Sequence, residues 1–365
     1  MKRRYPALGE ELGDDLVSEQ LLSPFVLKLP PRRRDEIVAV VKAVHQLREV
    51  LRSRPDQSAD PGYPSTMMSL DFHLDAAGAL KLIEINTNAS FLILGWEMYQ
   101  ARRLPFPVAD FSPGQWRDDL RRIAGNTLSP FVVVADQKPR EQRLYAEFLV
   151  AREWLRSFGW KAEIRDIEDA LTEPLPDLIY NRSTDFYLED PALRSLREGF
   201  LKGRPRLSPN PFEYGLLADK ERLIEWSRPG ALAALGLDAE STAILEKIIP
   251  ACETLRRENA DDIWSRRKHL FFKPKREFGS KKAFRGASVS RKVFDGLLDG
   301  DMLAQEFVPA PEAGFETPEG PQTFKYDLRC HFFGDRLEGI VARLYQGQVT
   351  NLKTKYGGFT PVVFE

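Results

Sequence analysis

Apolar and polar residues along this chain repeat with two periods, about 3.6 in some stretches and 2 in others. Asp35 to Arg52 is the clearest case of the first: Ile37, Val38, Val41, Val44, Leu47 and Leu51 fall on one face and predict an amphipathic helix. The clearest case of the second is S-L-D-F-H-L-D-A-A-G-A-L-K-L-I-E-I-N-T-N-A-S, from Ser69 to Ser90. Leu70, Phe72 and Leu74 alternate with Asp71 and His73, Asp75 to Gly78 turn, and Leu80, Leu82, Ile83 and Ile85 resume. Period and turn residues together predict a β-hairpin. Residues 1–30 read as a short helix and a surface segment, and 54–65 as a linker. Phe91 to Trp96 is an apolar patch for the core, and Pro105, Pro107, Pro113 and Gly114 mark a linker and a domain boundary.

From residue 130 the pattern changes. P-F-V-V-V-A-D reads as a buried strand, K-A-E-I-R-D-I as a second strand and L-P-D-L-I-Y-N-R-S-T-D-F as a third, with a helix over Arg143 to Phe158 after the first. That spacing implies a parallel α/β unit. No G-x-G-x-x-G follows the first strand, which argues against a dinucleotide site. Ligands of such sheets sit beyond the strand C-termini, here Asp136-Gln137-Lys138 and Asn181-Arg182-Ser183. Arg182 suits a bidentate carboxylate contact, or simply a local loop salt bridge. A helix from Phe212 carries Asp219 and Lys220, and Trp226 to Arg257 reads as helical without chemistry. An apolar strand, Leu270 to Phe272, then delivers Lys273 before Pro274, and a loop with Gly279, Ser280, Gly286 and Ser288 follows. V-S-R-K-V-F and D-M-L-A-Q-E-F-V read as strands. The last forty residues read as strands with hairpin turns at Gly334-Asp335 and Gly347-Gln348, and Asp327, Arg329 and His331 share one face.

Composition narrows the class. With 365 residues, two or three domains are expected, and 42% hydrophobic against 29% charged residues is the balance of a soluble globular protein. A net charge of -1 gives no overall pull toward nucleic acid. No apolar run reaches the roughly 18 residues of a membrane span, and the basic N-terminus lacks a signal-peptide core. Cys252 and Cys330 stand apart, as reduced cytoplasmic thiols do, and four histidines without a His/Cys cluster argue against zinc.

Chemistry concentrates in the hairpin. Asp71 lies on its first strand, with Glu84 and Asn86 two apart on the second, so three oxygen-bearing side chains can converge. Such a set suits a hard cation such as Mg2+. A solvated hairpin face is the plainer reading, but Glu84 sits between Ile83 and Ile85, where a carboxylate needs a partner. Glycines and lysines over 273–288 suit phosphate oxygens. The same basic residues, interleaved with Phe278 and Phe284, also fit an RNA-binding patch.

Asp71 followed by I-E-I-N-T-N-A-S-F resembles the metal-binding hairpin of ATP-grasp ligases, in the early position it has in eukaryotic-type glutathione synthetases and the glutathionylspermidine synthetase group. D-K at 219, K-P at 273, Q-E-F-V at 305, D-L-R at 327, A-R-L at 342 and Gly357-Gly358 follow in the matching order. The resemblance implies an α/β (α+β) ATP-grasp fold in circularly permuted order, with an inserted Rossmann-like pre-ATP-grasp substrate domain. Residues 1–125 would form the N-terminal part of the core, 126–225 the substrate domain and 226–365 the nucleotide-binding part. It implies Mg2+ on Asp71, Glu84 and Asn86, and ATP on Lys220, Lys273, Gly279, Ser280, Gln305, Glu306, Val308 and Lys355. Arg329, Arg343 and Lys273 would be catalytic, with Asn88, Ser90, Arg182, Gly357 and Gly358 for substrate. The implied activity is ATP-dependent carboxylate–amine ligation through an acyl phosphate. The partners would be small molecules (peptide, amino acid or polyamine) in the cytoplasm, without nucleic acid or membrane, and a homodimer is allowed. A non-catalytic nucleotide-binding homologue and an RNA-binding protein are the alternatives.

Overall fold

A computed structural model describes residues 4–9, 11, 21–54, 60–276 and 283–365. Its strands, in chain order, are β1 (Leu27–Leu29), β2 (Met68–Leu74), β3 (Leu80–Asn86), β4 (Val132–Asp136), β5 (Ala162–Asp166), β6 (Leu178–Asn181), β7 (Arg206–Ser208) and β8 (Cys252–Thr254). They continue with β9 (Leu270–Pro274), β10 (Phe284–Arg285), β11 (Met302–Glu306), β12 (Glu312–Thr317), β13 (Gly320–Phe333), β14 (Arg336–Tyr345) and β15 (Gly358–Phe364). The largest sheet runs β1-β15-β14-β13-β2-β3, with β12 on the free part of β13. A second, antiparallel sheet runs β10-β9-β11-β8, and a third, all parallel, runs β5-β4-β6-β7.

The largest sheet has one apolar and one polar face, as period-two alternation dictates. The helix Arg32–Arg52 lays Ile37, Val41, Val44 and Leu47 over the apolar face, in one core with Leu70, Phe72, Leu328, Ile340 and Leu344. Arg48 on this helix reaches the helical turn Pro211–Glu213, where Nε donates to the Glu213 carboxylate at 2.8 and 3.1 Å with both side chains buried. The helix Leu92–Arg102 covers one end of the opposite face. Gly95 permits that approach, because a Cβ there would stand 3.1 Å from Val341 Cγ1. Phe91 stacks on Phe359 at 3.7 Å. The rest of this face carries charge.

Several elements differ from expectation. The apolar patch at 91–96 begins the helix Leu92–Arg102, and the proline-marked linker gives way at Ser112, which caps a helix Pro113–Ile123. V-S-R-K-V-F is not a strand: Ser290 accepts from Val293 N and starts the helix Arg291–Leu297. The stretch 226–257 contains strand β8 as well as helices. Gly347-Gln348 is not a tight turn but lies in a longer loop, 346–357, between β14 and β15. Gly279 and Ser280 lie outside the described residues.

Glu338 in β14 is buried beside Asp119 of the helix Pro113–Ile123, with Arg336 3.2 Å from one oxygen and no partner for the other among the described residues. Burial, then the neighbouring Asp119, push its carboxyl from 4.5 up to about 8 against the pull of Arg336. The folded state therefore keeps a proton that the unfolded chain releases, and this contribution to stability is lost as pH rises from 4.5 through 8. Glu338→Gln, which mimics the protonated group, should raise Tm at pH 8.5 and change it little at pH 5, as thermal unfolding at the two pH values will test.

Candidate active site

The site grows from the register of the hairpin. Asp71 of β2 lies opposite Glu84 of β3 and also opposite Arg329 of β13, while Asp327 of β13 lies opposite Arg343 of β14. Paired residues share a face, so one row of the sheet becomes a patchwork of acids and guanidinium groups. Arg329 Nε and Nη2 donate to the two oxygens of Asp71 at 3.0 and 2.7 Å. Arg343 Nη2 donates to Asp71 at 2.9 Å and its Nε to Asp327 at 2.6 Å, whose other oxygen accepts from Thr350 Oγ1 at 2.6 Å. Burial opposes ionisation of Asp71, but Arg329 and then Arg343 outweigh it and hold the carboxyl well below its ordinary range. Burial likewise opposes the charge of Arg343, and Asp327 and Asp71 more than compensate.

Beyond Asp71 the hairpin slips register: Phe72 pairs with Leu82, so Ile83 is the extra residue of a bulge. Its carbonyl turns to the second sheet and accepts from Lys273 Nζ at 3.2 Å, while Gln305 Oε1 accepts from the same ammonium at 2.9 Å. Burial lowers the Lys273 pKa, which Glu84 partly restores. His73 Nδ1 lies 2.9 Å from the Val308 carbonyl, and since a carbonyl only accepts, Nδ1 carries the proton. The bulge and this histidine clamp the hairpin to the end of β11.

Between these sheets and the loops of the parallel unit lies a cavity of about 510 Å3. It brings together Asp71, Glu84, Asn86, Ser90, Lys220, Lys273, Gln305, Glu306, Val308, Arg329 and Arg343, which the sequence places up to 272 residues apart. Six bases (Arg143, Lys220, Lys273, Arg329, Arg343, Lys353) face four acids (Asp71, Glu84, Glu306, Asp327), so the cavity favours an anion.

Other expected residues stand elsewhere. Arg182 and Asn88 do not line the cavity: Arg182 Nη1 donates to the Asn88 and Ala89 carbonyls at 2.8 and 3.3 Å, and Asn88 Nδ2 donates to the Ser183 carbonyl. They staple the loop after β3 to the parallel unit. Lys355 points outward and pairs with Glu319. Gly357 and Gly358 lie just behind the cavity wall at Phe359. A Cβ on Gly357 would meet the Leu344 carbonyl at 2.6 Å, and Gly358 has φ 109, so the first position demands glycine for space and the second for its backbone conformation.

Whether Mg2+ fits is decided by which oxygens are uncommitted. Asp71 is taken by two arginines, a reason to withdraw it from the expected ligand set. Glu84 makes no hydrogen bond or ion pair among the described residues, and Asn86 Nδ2 is buried without a partner, so its amide also lacks a fixed contact. Among the described residues no group of three or more His, Cys, Asp or Glu is spaced to hold a metal. Mg2+ commonly takes only one or two protein oxygens plus phosphate and water, a demand that Glu84 and Asn86 fit. Sequence reasoning missed His73, Arg143, Thr350 and Lys353, all in the cavity wall. The alternation of β2 carried a signal for His73, which shares the face of Asp71. Arg143 opens the helix expected over Arg143 to Phe158, which begins only at Tyr145, and Thr350 and Lys353 sit in a loop without periodicity.

By sequence, no family model and no curated protein matches the chain. By structure, it is similar to a glutathione synthetase-like effector (GSS30) from Globodera pallida in its apo form, with 12% identity and a TM-score of 0.60 over 94% of this chain and 90% of that one. A putative gamma-glutamylcysteine synthetase from Methylobacillus flagellatus KT aligns at 11% identity and a TM-score of 0.46, over 91% and 86% of the two chains. The ATP-grasp ligase PsnB, solved with a precursor variant, Mg and ADP, aligns at 13% identity and a TM-score of 0.29, over 64% and 88%. The first likeness is one of fold, spans nearly the whole of both chains, and agrees with the glutathione synthetase-like architecture that the sequence resemblance implied.

Proposed function

We propose that this chain, glutathione synthetase-like in fold, is an ATP-dependent ligase that joins a carboxylate to an amine. One observation carries the reading: uncommitted Glu84 and Asn86, Lys273 and the Arg329–Arg343 pair, from sheets far apart in sequence, face one anion-favouring cavity. A carboxylate is a poor electrophile and must be activated. Its oxygen attacks the γ-phosphorus of ATP, the bond from that phosphorus to the bridging oxygen breaks, and ADP leaves. The amine then attacks the acyl carbon of the acyl phosphate, phosphate departs, and the nitrogen gives up a proton. Phosphoryl transfer of this kind depends on positioning and on spreading charge, with no enzyme nucleophile.

In this reading Lys220 and Lys273 neutralise the phosphates. Gln305, Glu306 and Val308 present the end of β11 to the adenine and ribose. Arg329 and Arg343 face the transferring group and the later oxyanion. Glu84 and Asn86 would hold Mg2+, which supplies further charge neutralisation when bound. Ser90 lines the substrate side, with Asn88 and Arg182 fixing its loop. Gly357 and Gly358, at the junction of the 346–357 loop with β15, hold the backbone behind the substrate side. A circularly permuted order is supported by β1 pairing with β15 and β2 with β13, and an inserted Rossmann-like unit by four parallel strands within 126–225. Free Cys252 and Cys330 suit a cytoplasmic setting.

The test is ADP release with Mg2+ over a panel of dipeptides, amino acids and amines. Glu84→Gln should cut turnover at least ~100-fold and raise the Mg2+ concentration required. ATP binding without Mg2+-dependent turnover on any carboxylate would instead favour a nucleotide-binding protein that does not ligate.

A further inference from the structure

We infer that Glu147 and His331, to which the ligase reading gives no role, are a pair of positioning residues: they grip the two ends of one peptide group, Ser90–Phe91, and so set Ser90 at the cavity wall. The inference rests on the ligase reading and adds to it two buried residues from separate units. The peptide lies in the turn between β3 and the helix Leu92–Arg102, where Asn88 has φ 52 and Phe91 φ 83. Residues other than glycine keep such angles only where the surroundings impose them. Phe91 is also the N-cap of that helix, and it has no side-chain oxygen to serve the free N–H groups there. Glu147, on the helix Tyr145–Ser157 of the parallel unit, serves them instead. Its carboxylate oxygens accept from Phe91 N at 2.8 and 2.9 Å, and one also accepts from Ile93 N at 3.1 Å. At the other end of the same peptide, the Ser90 carbonyl lies 3.1 Å from His331 Nε2 of β13. A carbonyl only accepts, so Nε2 carries the proton. Burial and then Arg329 lower the pKa of this imidazole to about 3, so it stays neutral with that single proton. Glu147 is 1% exposed and His331 0%, so water does not compete for either grip. With its N–H and its C=O both held, the peptide plane is fixed, and Ser90 Oγ stays 3.5 Å from Arg329 Nη1 in the cavity lining. Arg182 holds the two carbonyls before Ser90, whereas Glu147 and His331 hold the peptide after it.

The experiment uses the full chain with ATP, Mg2+ and whichever amino acid or dipeptide of the panel releases most ADP. Glu147→Gln keeps the shape but gives up the charge and one acceptor oxygen. His331→Leu removes the donor, and His331→Gln restores an N–H in nearly the same place. Glu147→Gln and His331→Leu should each lower kcat/KM for that carboxylate roughly 10–100-fold, with the KM for ATP within about twofold, and His331→Gln should recover most of the loss. Because both residues act through Ser90, neither change should cost more than about a further twofold once Ser90→Ala is in place. A merely structural role gives losses that multiply instead. Amide hydrogen exchange reads the grip without turnover: the Phe91 and Ile93 N–H groups should exchange at least ~10-fold faster in Glu147→Gln, while β13 and the helix Tyr145–Ser157 keep their protection. Unchanged exchange at Phe91, or protection lost throughout the chain, overturns the inference. So do losses that multiply in the Ser90→Ala background, an equal rise in the KM for ATP, or a His331→Gln variant as impaired as His331→Leu. Absence of ADP release from every carboxylate in the wild type would refute the ligase reading separately. Exchange at Phe91 and Ile93 then decides alone: selective loss of protection in Glu147→Gln and His331→Leu, reversed in His331→Gln, sustains the grip, and any other pattern overturns it.

Discussion

Asp71→Asn should lower the rate of ADP release by about 10²–10³-fold, the loss typical when a preorganised charge stabiliser is disturbed, while leaving Mn2+ affinity of the nucleotide complex unchanged. The two halves of that outcome separate two roles for one carboxylate. A metal ligand offers its oxygens to the ion. Asp71 instead spends both of them on Arg329 and Arg343 at 2.7 to 3.0 Å, with only 1% of its surface exposed. Asparagine keeps the shape but removes the charge, so Arg329 loses its carboxylate anchor and Arg343 is left with Asp327 alone. Glu84→Gln makes the counterpart, since loss of Mn2+ binding is expected there. Electron paramagnetic resonance of Mn2+ with the nucleotide reads the affinity, and steady-state ADP release the rate. An equal loss of Mn2+ affinity in both variants would return Asp71 to the ligand set.

The second large effect falls on stability. Glu213→Ala should destabilise the fold by about 3–5 kcal/mol, because it strands the buried Arg48 guanidinium without its bidentate partner. The pair is not a cheap source of stability. Burial drives the Glu213 carboxyl above its ordinary range even with Arg48 beside it, a sign that desolvation outweighs attraction on that side. Replacing both partners by apolar residues of similar size, Arg48→Met with Glu213→Leu, should therefore recover most of the loss. Urea unfolding of the single and double variants measures the difference, and a double variant as unstable as the single would show that the ion pair contributes more than its desolvation cost.

What the sequence made legible was whatever rests on local period. Alternation around Asp71 and Glu84 gave the hairpin and its shared face, and the run P-F-V-V-V-A-D gave a strand buried along its length. Where local signals conflict, the reading failed. V-S-R-K-V-F alternates like a strand, yet Phe294 and Leu297, three apart, are the buried pair while Val293 is 42% exposed, so packing follows the helical period that Ser290 starts. Site residues divide the same way. Lys273 sits on a strand that sets its direction. Lys353 and Lys355 lie in an aperiodic loop, and nothing short of the tertiary fold tells which faces the cavity and which pairs outside with Glu319. Arg182 was visible as a residue at a strand end, but its commitment to the Asn88 and Ala89 carbonyls depends on a loop almost a hundred positions away.

The neighbours of β13 carry a consequence for biosynthesis. Asp71 and Arg329 are separated by 258 positions, and β2 can complete its sheet only after the strand bearing Arg329 has been synthesised. A ribosome adding some 5–20 residues each second leaves that edge without its partner for tens of seconds. During this wait the parallel unit of β4 to β7, whose pairings are all nearer in sequence, can assemble first, while the nascent hairpin carries an unpaired strand edge.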